Sequence, residues 1–122
     1  MTQLLTIESL YANYLQLLKR MFGFSLRPKR LDYEELEETA RDIYLQVHEH
    51  RTQIEQRGAA NPSLTEFVKC FDLATGCFAV YLSSKIMYQK GLNTRADLAR
   101  EEKEHRYWNQ ELIRAAKQSD KF

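Results

Sequence analysis

This sequence predicts an all-α fold: a single four-helix, or five-helix, up-and-down bundle with a buried central helix. Three observations carry the prediction. Apolar residues recur at steps of three and four through four separate stretches. Each stretch opens on a helix-capping residue or closes on a glycine. Only four glycines and two prolines stand among 122 residues, too few for the tight turns of an all-β fold. A chain of this length makes one domain, residues 1–122, and buries roughly two-thirds of its extended surface without a metal or disulfide staple.

The first helix runs from Ile7 to Phe22, with Thr6 as its N-cap. Ile7, Leu10, Tyr11, Tyr14, Leu17, Leu18 and Met21 form its inward stripe, and Gly23 and the Pro28 region end it. The second opens at Asp32, with Glu35 three residues on as in a capping box. Glu34, Glu35, Glu37 and Glu38 complement the positive end of its dipole. Its seam is Leu36, Ala40, Ile43, Val47, His50 and Ile54, alternating steps of four and three, the narrow contact line of a bundle; Gly58 stops it. After the Asn61-Pro62-Ser63 break, Ser63 and Glu66 read as another capping box, opening a third helix over about Leu64–Gln89. That helix is apolar nearly all round from Phe67 to Leu82, which marks a central, buried element. Gly76 in its middle costs about 1 kcal/mol against alanine, so a neighbouring helix is expected to approach closely there. Gly91 closes it. The fourth helix begins near Thr94, with Asp97 three on, and runs to about Lys117. It turns Leu98, His105, Trp108, Leu112 and Ala116 inward.

Eighteen Lys and Arg balance seventeen Asp and Glu, and the net charge of +1 excludes a strong, stand-alone nucleic-acid binder. Met1–Glu8 lacks a basic n-region, and an acid interrupts its apolar run, unlike a signal peptide. The longest uncharged stretch, Leu73–Ser84, is twelve residues, against about 20 for a bilayer span. A soluble, cytoplasmic protein with no membrane partner is therefore expected. Cys70 and Cys77 stand seven apart on one helix, about 10.5 Å along its axis. That exceeds the roughly 7 Å Cα limit of a disulfide, so both read as reduced core residues.

No metal, cofactor or catalytic framework is expected. His48 and His50 lie roughly 200° apart round a helix and cannot chelate one ion. Glu102-Lys-Glu-His105 is a single E-x-x-H step, where a di-iron bundle needs two such steps and two further inward glutamates. The chain has no Cys-x-x-Cys, no glycine-rich phosphate loop and no Gly-x-Ser-x-Gly. One segment, Arg100-Glu-Glu-Lys-Glu-His105-Arg-Tyr107, resembles the R-x4-H-x-Y signature of HEPN-domain ribonucleases, which are also small helical bundles. In that family the four spacer positions are largely apolar or small; here all four are charged. The resemblance implies a metal-independent ribonuclease in which Arg100 and His105 from two protomers activate a ribose hydroxyl and stabilise phosphate.

The most polarised stretch is 19–30. It holds Lys19, Arg20, Arg27, Lys29 and Arg30 with no acid, interleaved with Phe22 and Phe24. Such cations suit phosphate contact without base reading, and the rings suit stacking on nucleotides. Lys85, Lys90, Arg95 and Arg100 form a sparser basic stretch, which an up-and-down bundle brings to the same end. Tyr11, Tyr14, Tyr33, Tyr88, Tyr107 and Trp108 are candidates for a protein interface. In size, architecture and charge placement the whole chain resembles the small helical-bundle subunits of CRISPR effector complexes. The resemblance implies a non-enzymatic subunit stacked along a guide–target complex, touching RNA or single-stranded DNA phosphates through those five basic residues. It also implies other subunits as partners, and self-association is a further option. A plain protein-interaction adaptor bundle is the third reading.

Overall fold

The computed structural model describes residues 5–22, 32–58 and 61–118. Four helices make up these segments: α1 (Ile7–Phe22), α2 (Tyr33–Arg57), α3 (Pro62–Gln89) and α4 (Arg95–Gln118). Their starts follow from capping chemistry. Thr6 Oγ1 accepts from the Ser9 amide at 3.1 Å. Asp32 accepts from the amides of Glu34 and Glu35. At Thr94 the capping box is complete: its amide donates to Asp97 Oδ2, and its Oγ1 accepts from the Asp97 amide, both at 3.1 Å. The third start differs from the Ser63 box expected from sequence. Asn61 is the N-cap, accepting from the Ser63 and Leu64 amides, and Pro62 occupies the first turn, where its missing N–H costs nothing. Gly58 and Gly91 end α2 and α3 with φ of 72° and 74°, in the left-handed region that only glycine enters freely.

Helix α3 packs against α1, α2 and α4. Contacts to α2 run in opposite directions along the two helices: Glu34 meets Lys90, Tyr44 meets Gly76, and Arg51 meets Asp72. The same holds for α1 and α2, where Gln46 receives the Leu5 amide and Glu35 meets Arg20. The core is aromatic along α3. Tyr11 packs edge-on to Phe67 and Phe71, and Tyr14 edge-on to Phe78. Leu36, Ala40, Ile43 and Val47 bury the α2 seam as its spacing predicts, and Leu112 and Ala116 do so for α4. Of the tyrosines and tryptophan expected at an interface, Tyr14 therefore belongs to the core, Tyr11, Tyr33 and Trp108 pack partly buried against it, and Tyr88 and Tyr107 are exposed.

By length and composition alone α3 is able to cross a membrane, but 56% of its most apolar window is buried inside this fold. Sequence reading expects α3 to be covered all round, yet Val80 is 50% exposed. The expected close approach at Gly76 is present: a Cβ there would lie 3.1 Å from Cε1 of Tyr44.

Candidate functional site

Three places could carry function: the basic end near the α1–α2 connection, the Arg100/His105 pair, and an open cleft along α3. At the basic end, Lys19 and Arg20 are exposed in the last turn of α1, as cations favoured by the helix dipole. Arg27, Lys29, Arg30 and Phe24 lie outside the described residues. Phe22 is exposed, its ring 6.3 Å from that of Phe78. Of the second basic stretch, Lys85 and Lys90 reach the same end, while Arg100 pairs with Asp97 and Glu101 on its own helix. Lys90 lies 3.7 Å from Glu34, and Arg20 lies 3.3 Å from Glu35. Lys85 sits over the Tyr33 ring at 5.2 Å and donates to the Tyr81 hydroxyl at 3.3 Å. Burial works against the Lys85 charge, but the Tyr81 hydrogen bond and the two tyrosines outweigh it, so its pKa is raised. The acidic opening turn of α2 thus lies between the basic groups and pairs with two of them.

Arg100 and His105 part company. Five positions on one helix place them about 140° apart. Arg100 is exposed and bonds Asp97 at 3.0 Å. His105 is buried, stacked on Phe78 at 4.6 Å, with Nε2 2.9 Å from the Tyr14 hydroxyl. Burial pulls its pKa from 6.5 down to about 4, so the imidazole is neutral at pH 7. Glu102, its neighbour in the E-x-x-H step, bonds Arg106 at 2.7 Å instead. His48 and His50 diverge as expected, to Asp72 and to the Leu5 carbonyl. Among the described residues no cluster of three potential metal ligands forms.

The cleft, of about 610 Å³, runs along the outer side of α3. Leu73, Gly76, Ala79 and Val80 make its floor, with Cys77 and Ser83 beside them. From α2 come Glu37, Arg41 and Tyr44, and from α4 come Glu101 and Glu104. At one end lies Asp72, 4% exposed, held by Arg51 at 2.7 Å and His48 at 3.3 Å. A buried carboxylate needs such partners, since isolated it would cost several kcal/mol. The Cys77 thiol has its pKa raised by burial and then by the charges of Glu104 and Glu101, which marks a negative field over the floor. Burial likewise pushes the Cys70 thiol up to about 11. Both cysteines are free.

Sequence reading missed this cleft and Asp72. The one available signal was the acid itself, standing between Phe71 and Leu73 in an otherwise apolar run. Its partners are 21 and 24 positions away and leave no local trace. The chain matches no protein-family model, no curated protein and no solved structure.

Proposed function

We propose that this chain is a non-enzymatic helical-bundle subunit of a larger assembly, docked to a protein partner through the open side of α3. The observation that carries the reading is Val80, half exposed in the floor of an apolar cleft that no other described helix covers. Exposed apolar surface that is contiguous and rimmed by polar groups is typical of interaction sites. The opposed registers of α1 with α2 and of α2 with α3 support an up-and-down bundle around a central α3. The groups best suited to chemistry are withdrawn from it: His105 is neutral in the core, and both thiols are held protonated at pH 7. Purifying the tagged chain from its own cells, alongside Val80→Arg, tests the reading. A stoichiometric partner lost in the variant supports it; the same partners with both proteins sink it.

A second reading is favoured by the gathering of Lys19, Arg20, Lys85 and Lys90 at one end. There the assembly is a cytoplasmic nucleoprotein complex, of the kind whose CRISPR small subunits the chain resembles. These cations, with Arg27, Lys29 and Arg30, touch the backbone of RNA or single-stranded DNA without reading bases. The isolated chain binds weakly, because phosphates compete with Glu34 and Glu35 for Lys90 and Arg20. Binding to a single strand should weaken steeply as salt is raised. A flat salt dependence removes this reading.

A further inference from the structure

The lining that α3 gives the cleft runs from Leu73 to Ser83, ten helical steps or about 15 Å. That length accepts about three turns of a helix laid along α3. Its floor residues sit at helical steps of three and four, so an incoming helix with apolar residues at i, i+3 or i+4, and i+7 meets them in register. The two walls differ in charge. On the α2 side Glu37 lies 3.8 Å from Arg41, and Tyr44 covers the Gly76 notch. On the α4 side Glu101 and Glu104 stand three apart, one turn of wall. Arg100 reaches Glu101 only loosely, at 3.9 Å, with its closer partner at Asp97. Counting the lining residues, four carboxylates (Glu37, Asp72, Glu101 and Glu104) face one guanidinium, Arg41. Arg51 behind Asp72 offsets one more, leaving a net charge of −2 around the apolar floor.

We infer that the occupant of this cleft is a cationic amphipathic helix of the partner protein, about three turns long. It lays its apolar face on Leu73, Ala79 and Val80 and its Lys or Arg flank against Glu101 and Glu104. This rests on the docking reading above and adds the chemistry of the partner. A second copy of the chain is the poorer fit, because a two-fold contact through this cleft brings one acidic wall against another without a matching basic face.

Two synthetic amphipathic helices of about 14 residues, each with a leucine face and either a lysine or a glutamate polar face, test the inference. Their binding to the full chain is measured by fluorescence anisotropy at low and high salt. The lysine helix is expected to bind about tenfold or more tighter at low salt, with the advantage shrinking as salt rises. Glu101→Lys with Glu104→Lys should reverse the order, and Val80→Arg should abolish binding of both. Val80 is half exposed, so circular dichroism of the variant should match the parent. If both helices bind equally and Val80→Arg removes both, the cleft remains a docking site and the cationic occupant is overturned. If neither helix binds, the inference is overturned, and unchanged partners in the Val80→Arg purification would remove the docking reading too. A dimer in sedimentation that Val80→Arg dissociates assigns the cleft to a second copy and also overturns it.

Discussion

The Tyr14 hydroxyl lies 2.9 Å from Nε2 of His105, joining α1 to α4 across the core between residues 91 positions apart. Tyr14 donates its own proton to Asn109 Oδ1 at 2.8 Å, so the His105 proton sits on Nε2 and is donated to the tyrosine oxygen. Such an imidazole is a neutral group of the core, and its titration is linked to folding. Between the ordinary pKa of 6.5 and about 4 the unfolded chain takes up a proton that the folded chain refuses. The stability it contributes is therefore full above pH 6.5, is lost as the pH falls, and levels off below about pH 4. The loss from this group is on the order of 3 kcal/mol. Urea midpoints of the parent and His105→Gln across that window measure it. The variant should be flatter by that amount, and equal slopes would show that His105 is not the group responsible.

Arg51 and Asp72 supply a second test of the core. Removing the guanidinium strands a carboxylate that is almost wholly enclosed, with half-exposed His48 as its remaining partner. Arg51→Met should cost about 2–3 kcal/mol, less than a fully buried pair because Arg51 keeps some solvent. Asp72→Leu alone leaves only the partly exposed Arg51 and His48 side chains without that partner and should cost less. The double change Arg51→Met with Asp72→Leu should recover most of the loss. Chemical denaturation of the four proteins closes the cycle, and additive losses would mean the pair is not coupled.

Gly76 balances two effects of opposite sign. Alanine there gains about 1 kcal/mol of helix propensity. Its Cβ also meets the Tyr44 ring at 3.1 Å, and that ring is stacked on His48 at 5.7 Å. Gly76→Ala should therefore change stability by less than about 1 kcal/mol, while Gly76→Val, which the ring cannot clear, should destabilise by about 1–3 kcal/mol. In a Tyr44→Ala background, Gly76→Ala should stabilise by about 1 kcal/mol. Thermal melts of the single and double variants read this directly.

What was legible in the sequence is what repeats locally. The α2 seam from Leu36 to Val47 is buried because its spacing keeps one helix face on one line, and Thr94 with Asp97 caps α4 because a capping box needs only four consecutive residues. Gly76 announced a close neighbour without naming Tyr44. His105 was readable in two ways at once, as an inward residue of the Leu98–Leu112 stripe and as a candidate for chemistry. Its spacing alone does not choose; the Tyr14 hydroxyl, from another helix, favours the structural role. The Arg51–Asp72 pair and the ion pairs of Glu34 and Glu35 join distant positions through tertiary packing, so no window of sequence contains them. The cleft was hidden for the opposite reason. An apolar surface on α3 reads the same whether a helix of this chain covers it or a partner must.

The acidic turn of α2 decides how the basic end behaves, and it yields the last prediction. Glu35 holds Arg20 at 3.3 Å and Glu34 holds Lys90 at 3.7 Å, all four side chains being more than half exposed. Exposed pairs of this kind are worth about 0–1 kcal/mol, so a phosphate can displace them at little cost, though it still meets the carboxylates it displaces. Replacing both acids by glutamine removes that competition and raises the local charge by two. Glu34→Gln with Glu35→Gln should therefore bind single-stranded RNA several-fold tighter at low salt. The plot of log affinity against log salt should steepen by about 0.7 for each additional phosphate neutralised. Lys19→Glu with Arg20→Glu should move both quantities the other way. If the glutamine variant binds no better than the parent, the cations at this end are not a phosphate site and serve only to cap α1 and anchor the opening turn of α2.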